Sequence, residues 1–332
     1  MFGTMKRGLG SVALAAAILS ASPTATLAQD VRIGAMREGS SWYVFAATLE
    51  QMIEPILGPN SVEVIARGGG VANPMVVQNG RAEIALSNVA SAVWAKDGAE
   101  VYDGMSAPDI RALVGGLNDV YVGVIATEDF VAKRGTSDLG AILTSGEPVR
   151  VLMKPVGSSA VPVAEMIFES LGTSAEDIKA NGGEVTQVDT DQIADQMRNG
   201  AADIYIDTMI RGHPAITEVA LTNDVTFLDL PEASTGLLEE NGLTLGSYGP
   251  WFEGQDGETT GANLGTVLIA NASLDEETAY QITKAIIENA DQLKASHGAW
   301  AKFDPATAML PENTGVPLHP GAQRYYEEAG LM

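Results

Sequence analysis

Two Gly-Ser-Ser triplets, Gly39-Ser40-Ser41 and Gly157-Ser158-Ser159, stand 118 residues apart, each between a short apolar run and a stretch with helical apolar spacing. Hydroxyls at such a turn, with the unpaired N–H groups and positive dipole end of the helix that follows, donate hydrogen bonds to an anion or another acceptor-rich group. Serines there also serve as plain helix caps, so one triplet carries little and a matched pair carries more. Other residues suited to a ligand wall surround them: Trp42, Tyr43, Arg67, Gly70, Asn73, Ser87 and Asn88 in the first half, and Lys154, Asp207 and Tyr248 in the second. Trp42, Tyr43 and Tyr248 suit a wall or core packing equally. Arg67 and Lys154 place one cation in each half, at or near a strand end. A carboxylate taken out of water needs charge-assisted or multiple hydrogen bonds, and an arginine can supply two in parallel where lysine cannot.

The elements that must carry these groups are legible as a repeat. Val149-Arg150-Val151-Leu152-Met153 reads as a buried strand, Lys154 to Ser159 as a turn, and the following residues as a helix with Pro162 near its first turn. Near the start, Val31-Arg32-Ile33 precedes Gly39-Ser40-Ser41 in the same way, and Phe45, Leu49, Met52, Ile53 and Ile56 supply the helical apolar face. A second echo pairs Asn79-Gly80-Arg81-Ala82-Glu83-Ile84 with Asn199-Gly200-Ala201-Ala202-Asp203-Ile204. Each is a helix end, an Asn-Gly stop and a strand. Two such copies predict two similar α/β lobes, and ligands of open α/β sheets lie outside the carboxyl ends of the strands.

The reading therefore places lobe 1 at residues 29–118 and 262–332 and lobe 2 at 119–261, with crossings near Asn118 and within Tyr248 to Gly261. Ser61 to Ala66 reads as a strand ending in Arg67-Gly68-Gly69-Gly70, whose glycines admit a close backbone approach. Ser273-Leu274-Asp275-Glu276 reads as a capping box opening a long helix, and Pro320 opens the last one, stopped by Gly330.

Residues 1–28 have the form of an export signal: Lys6 and Arg7, the apolar run Leu9 to Leu19, and Thr26-Leu27-Ala28 as the cleavage site. Its loss would take the net charge from −24 to −26, which disfavours nucleic acid and anionic lipid as partners. No stretch is long and apolar enough for a stable membrane span, and the absence of cysteine rules out a disulfide or a lipidated N-terminal cysteine. The expected location is the periplasm. Nucleophile-elbow, phosphate-loop, dinucleotide and zinc-protease motifs are absent. His213, His297 and His319 lack metal-ligand spacing, and His213-Pro214 and His319-Pro320 read as loop or cap positions. The expectation is no cofactor, no metal and no catalysis.

Taken in order along the chain, the motifs resemble the TAXI class of solute receptors, the extracytoplasmic binding proteins of tripartite ATP-independent periplasmic (TRAP) transporters. The residues that carry the resemblance are Gly39 to Tyr43, Ala66 to Asn73, Asn79 to Ile84, Gly157 to Ser159, Gly212-His213-Pro214, Gly246-Ser247-Tyr248, Ala279 to Ala285 and His319 to Gly330. The resemblance implies a two-lobed periplasmic-binding-protein fold of type II, with two hinge crossovers. It also implies a small carboxylate or amino acid ligand, such as glutamate or 2-oxoglutarate, and delivery to TRAP membrane subunits, fused into one large chain. Gly70, Arg67 and Lys154 depart from that pattern, standing where serine, a small or hydroxyl residue, and glycine are usual. A ligand-presenting partner of a membrane sensor, or an enzyme on the same bilobal scaffold, are the alternatives.

Overall fold

The computed structural model describes residues 1–3 and 30–332; the expected signal segment lies, from residue 4 onward, outside the described residues. In chain order the strands are β1 (Val31–Gly34), β2 (Val62–Ile65), β3 (Ile84–Ser87), β4 (Ile110–Val114), β5 (Tyr121–Thr127), β6 (Arg150–Met153), β7 (Glu184–Gln187), β8 (Ile204–Met209), β9 (Val225–Leu228), β10 (Thr244–Tyr248), β11 (Thr259–Asn263) and β12 (Val267–Asn271). They form two sheets. The first has the order β2-β1-β3-β12-β4 and the second β10-β11-β5-β8-β6-β7, with β9 also paired to β5.

The repeat seen in sequence is a repeat of topology. β2-β1-β3 and β7-β6-β8 are both parallel triplets, and each is continued by an antiparallel strand, β12 on β3 and β5 on β8. It extends to side chains. Arg32 at the start of β1 donates from its backbone and Nε to Glu83, at 2.8 and 3.0 Å, and from its guanidinium to Gly80 O. Arg150 at the start of β6 does the same to Asp203, at 2.9 and 3.0 Å, and to Gly200 O. The Asn-Gly stops thus sit where each arginine clamps the next strand's approach.

Parallel strands need crossover helices, and these cover the sheets. The helix Ser41–Leu57 buries Phe45, Leu49 and Ile53 in the same core as Ile33, Ile84 and Leu268. Each fully buried aliphatic or Phe side chain contributes about 1.5–3 kcal/mol of hydrophobic stabilisation. The helices Glu276–Glu288 and Pro320–Glu328 pack on each other, and the former also packs on Ser41–Leu57, so the C-terminal segment completes the first lobe. Asp275, rather than Ser273, caps Glu276–Glu288, accepting from Thr278 N at 2.9 Å, while Ser273 is held by Asn271. A carboxylate one position before the helix outcompetes a hydroxyl farther back.

The chain passes between sheets twice, at 115–120 and at 264–266. The second passage is later than expected, because β10 and β11 pair with each other and β11 with β5 in the second sheet. The expected boundary at 261/262 therefore falls inside β11. Among the described residues, no helix is long and apolar enough to cross a membrane.

Candidate functional site: the closed cleft between the lobes

The two Ser-Ser helix starts face each other across one cavity. In the first lobe Ser40 is the N-cap of Ser41–Leu57; its Oγ accepts from Tyr43 N at 3.3 Å and donates to Arg37 O at 2.7 Å. Ser41 and Trp42 follow, both buried, and neither Ser41 Oγ nor Trp42 Nε1 has a hydrogen-bond partner. In the second lobe the turn after β6 delivers Ser158 and Ser159 to the start of the helix Ala160–Ser170. Ser158 Oγ accepts from Ala160 N at 3.3 Å, while Ser159 Oγ crosses the cleft and donates to Asn88 Oδ1. Asn88 is steadied by its own Nδ2 donating to Gly265 O at 2.9 Å.

The lobes touch through backbone as well. Val71 N donates to Gly157 O at 3.1 Å, and a Cβ at Gly70 would collide with Ser159 Oγ and Asn88 Oδ1. The expected close approach at Gly68-Gly69-Gly70 is thus made by the other lobe. Enclosed between them is a cavity of only ≈ 20 Å³, lined from the first lobe by Met36, Ser40, Ser41, Trp42, Gly70 and Asn88. The crossing contributes Val120, and the second lobe Lys154, Ser158, Ser159, Thr208, Ile210 and His213. That space holds little more than one water-sized group, so the conformation is closed.

Lys154 corrects the sequence reading most. It is not an open cation: its ammonium is buried and lies 2.8 Å from Asp207 Oδ1 and 2.9 Å from His213 Nε2, with Thr208 Oγ1 at 3.5 Å. Asp207 is fully enclosed behind it, accepting in addition from Thr208 N at 2.5 Å, Thr208 Oγ1 at 3.1 Å and Tyr205 OH. An ammonium only donates, so His213 Nε2 must present its lone pair, which puts the ring proton on Nδ1. Burial, and then the adjacent Lys154 charge, push the His213 pKa down to about 3, so the ring is neutral at ordinary pH. His213 also stands at the N-cap of Pro214–Thr222, with Nδ1 3.4 Å from Ile216 N.

Other expected site residues stand elsewhere. Asn73 is a brace: its amide donates to Leu86 O at 2.7 Å and Gly34 O at 3.4 Å, and its Oδ1 accepts from Gly69 N. Ser87 is buried, donating to Asn88 O. Tyr43 is half-buried and lies off the cavity lining. Tyr248 stacks on Tyr121 at 5.3 Å, also away from the cavity, because β10 belongs to the edge of the second sheet. Arg67 is exposed at the mouth of the cleft, in a groove shared with Met36, Arg37, Gly68, Pro155 and Val156. There Arg37 pairs with Asp189 across the gap between lobes. Sequence reasoning did not single out Met36, Val120, Thr208, Ile210 and His213 as lining. Thr208 and Ile210 sit at the carboxyl end of β8, so the rule that selected Asp207 would have reached them one to three residues farther on.

The family model described as NMT1-like matches residues 33–330, nearly all of the described chain. The chain belongs to the NMT1-like family. Solved structures similar to this NMT1-like chain include MatC from Rhodopseudomonas palustris with bound malate, 14% identical, covering 91% of this chain and 97% of that one with a TM-score of 0.54. A second, described as a periplasmic transporter, is 11% identical, with coverages of 92% and 94% and a TM-score of 0.53. A third, from Bordetella bronchiseptica RB50, is 14% identical, with coverages of 90% and 88% and a TM-score of 0.51. With the two-sheet, two-passage topology, these likenesses identify the fold as that of type II periplasmic binding proteins.

Proposed function

We propose that this chain is a periplasmic solute receptor of the TAXI class, which captures a small carboxylate between its lobes and delivers it to the membrane subunits of a TRAP transporter. The observation that carries the reading is the pair of helix N-termini, Ser40 to Trp42 and Ser158 to Ala160, converging from different lobes on one cavity. The groups left without partners there, the Ser41 hydroxyl and the Trp42 indole N–H, include a donor-only group and a hydroxyl free to donate. Buried donors without acceptors destabilise a fold unless a ligand meets them. A carboxylate supplies up to four acceptor sites and gains from both helix dipoles. The absence of a group suited to nucleophilic or acid–base work in the cavity favours binding over catalysis: His213 is neutral and engaged, and Lys154 and Asp207 neutralise each other. Periplasmic location and the TRAP partner rest on the export-type N-terminus and on the motif order from Gly39 to Gly330.

The test begins with protein purified from its native host, denatured to release whatever small molecule it carries, which mass spectrometry then identifies. Refolded protein is next melted against organic acids, amino acids, sugars and neutral amides. A carboxylate at about a hundred times its Kd is expected to stabilise by about 2.7 kcal/mol. Stabilisation by sugars or amides alone would overturn the reading. A gene for a large fused TRAP membrane subunit beside this one is the expected setting; a sensor kinase in its place would favour a signalling role.

A further inference from the structure

We infer that the cleft selects a ligand bearing one carboxylate and no ammonium group, and that Asp207 sets this choice from behind the cavity wall. The inference deepens the carboxylate reading above and rests on it. It starts from the charges that line the cavity. Lys154 is the one cation among the lining residues, and none of them is an aspartate or glutamate. Asp207 lies 2.8 Å behind the Lys154 ammonium and is completely enclosed. It cancels that charge without reaching the cavity.

The positive potential left for a ligand comes from two helix starts, each equivalent to roughly half an elementary charge. Together they match about one negative charge. The remaining donors point the same way: Ser41 Oγ and Trp42 Nε1 have no partner. Ser158 Oγ accepts from Ala160 N but donates to nothing. The third ammonium hydrogen of Lys154 has only Thr208 Oγ1, at 3.5 Å. These groups meet one carboxylate well.

A second carboxylate would have no cation inside the closed cleft. Arg37 is engaged by Asp189 at the rim, and Arg67 is exposed outside the cavity. A charge left unmatched in a dry site is strongly unfavourable. An amino acid fails differently. Its ammonium would meet the positive ends of two helices, with no carboxylate among the lining residues to receive it. Once the lobes part enough to admit a ligand, Met36, Val120, Ile210 and the Trp42 ring offer apolar walls to a compact, uncharged body.

The experiment compares matched ligands on refolded protein by calorimetry and thermal shift. The three-carbon set is propionate, lactate and pyruvate against alanine and malonate. The five-carbon set is 2-oxopentanoate against norvaline, glutamate and 2-oxoglutarate. At least one monocarboxylate is expected to bind roughly tenfold or more tightly than its amino and dicarboxylate counterparts. Equal or tighter binding of glutamate, norvaline, malonate or 2-oxoglutarate would overturn the inference and leave the carboxylate reading intact. If none of these acids binds, that reading falls, and this one with it. In D207N the Lys154 charge is no longer cancelled, so preference should move toward the dicarboxylate by about tenfold or more. An unchanged preference in folded D207N would remove Asp207 from the account. Should D207N fail to fold, K154Q/D207N, which is neutral at both positions, is expected to keep the monocarboxylate preference with weaker affinity; a preference for dicarboxylates in it would count against the inference.

Discussion

Lys154 shows what a single residue can and cannot reveal before its neighbours are known. Its place after a strand marked it as a ligand cation, yet its charge is matched within its own lobe by Asp207. Removing one partner of a buried pair leaves the other charge stranded, which costs about 3–5 kcal/mol, whereas removing both costs less. Lys154→Met is therefore expected to lose stability on that scale, and Lys154→Met with Asp207→Asn to recover much of it, as read from urea unfolding midpoints. A single substitution as stable as wild type would mean the pair does not hold together in solution. Arg67 behaves oppositely. Exposed and outside the cavity, its loss should leave Kd within about threefold, a surface-scale effect, while slowing association with an anion at low salt. Stopped-flow binding at two ionic strengths separates these.

Gly70 is the other decisive residue. Its backbone is not in the left-handed region, so alanine is excluded only by the Ser159 and Asn88 atoms from which its Cβ would have to retreat. The Ser159 contact belongs to the closed state, whereas Asn88 stands on the same lobe as Gly70. Gly70→Ala should therefore weaken ligand binding tenfold or more, roughly 1.4 kcal/mol or above, with a smaller loss in the melting temperature of ligand-free protein from displacing the Asn88 side chain. A fall in that melting temperature with unchanged affinity would place the contact in folding rather than closure.

At the scale of elements, the half that was legible is the half that repeats. Strand, Gly-Ser-Ser, helix and Asn-Gly-strand were readable because β1, β3, β6 and β8 are apolar and buried, and their turns use residues that only turns require. β10 and β11 were not. Thr244–Tyr248 and Thr259–Asn263 carry mostly Thr, Gly, Ser and Asn; the first is a largely unburied edge strand, and the second, though paired on both sides, has small and polar residues at its buried positions. Without apolar alternation they read as a glycine-rich linker, and the return crossing was placed too early. The helix Pro214–Thr222 hid its role for a related reason: His213 looked like a cap and does stand at the N-cap position, but the nitrogen that accepts is Nε2, facing Lys154. That environment has a measurable consequence. Folded, His213 takes a proton only near pH 3; unfolded, it does so near its ordinary value of 6.5. Its contribution to stability is thus complete above about 6.5 and is lost as pH falls toward 3, because the unfolded chain binds the proton first. His297 and His319 are shifted the same way by burial. His213→Asn should flatten the slope of unfolding free energy against pH by up to about 1.4 kcal/mol per unit between pH 4 and 6. Urea titrations across that range give the slope, and an unaltered one would assign the acid sensitivity to other groups.

At the scale of the whole molecule, the question is what allows two lobes to part. The two passages between sheets run side by side and hydrogen-bond to each other: Leu117 N to Thr266 O at 3.1 Å, and Leu264 N to Val120 O at 2.8 Å. Gly116 and Gly265, both at positive φ, flank this pair and let the chain turn where side chains would resist. Across the cleft, the polar contacts are few beside the buried core of each lobe. They include Val71 to Gly157, Ser159 to Asn88, the Arg37–Asp189 pair, and Trp94 Nε1 to Asn241 O at 2.8 Å. A backbone or neutral hydrogen bond contributes only about 0.5–1.5 kcal/mol net, and the exposed ion pair about 0–1. Opposed by buried donors that closure strips of water, these polar contacts contribute little to holding the lobes together without a ligand. Two short connections that open as a hinge are a recurring device for closure around a solute. The ligand-free protein is therefore expected to populate a more open form, and small-angle scattering should show a decrease in radius of gyration when a monocarboxylate saturates it. In Gly70→Ala that decrease should be smaller at equal saturation. An identical radius with and without ligand in the wild type would mean that the cleft is rigid and that solute enters by another route.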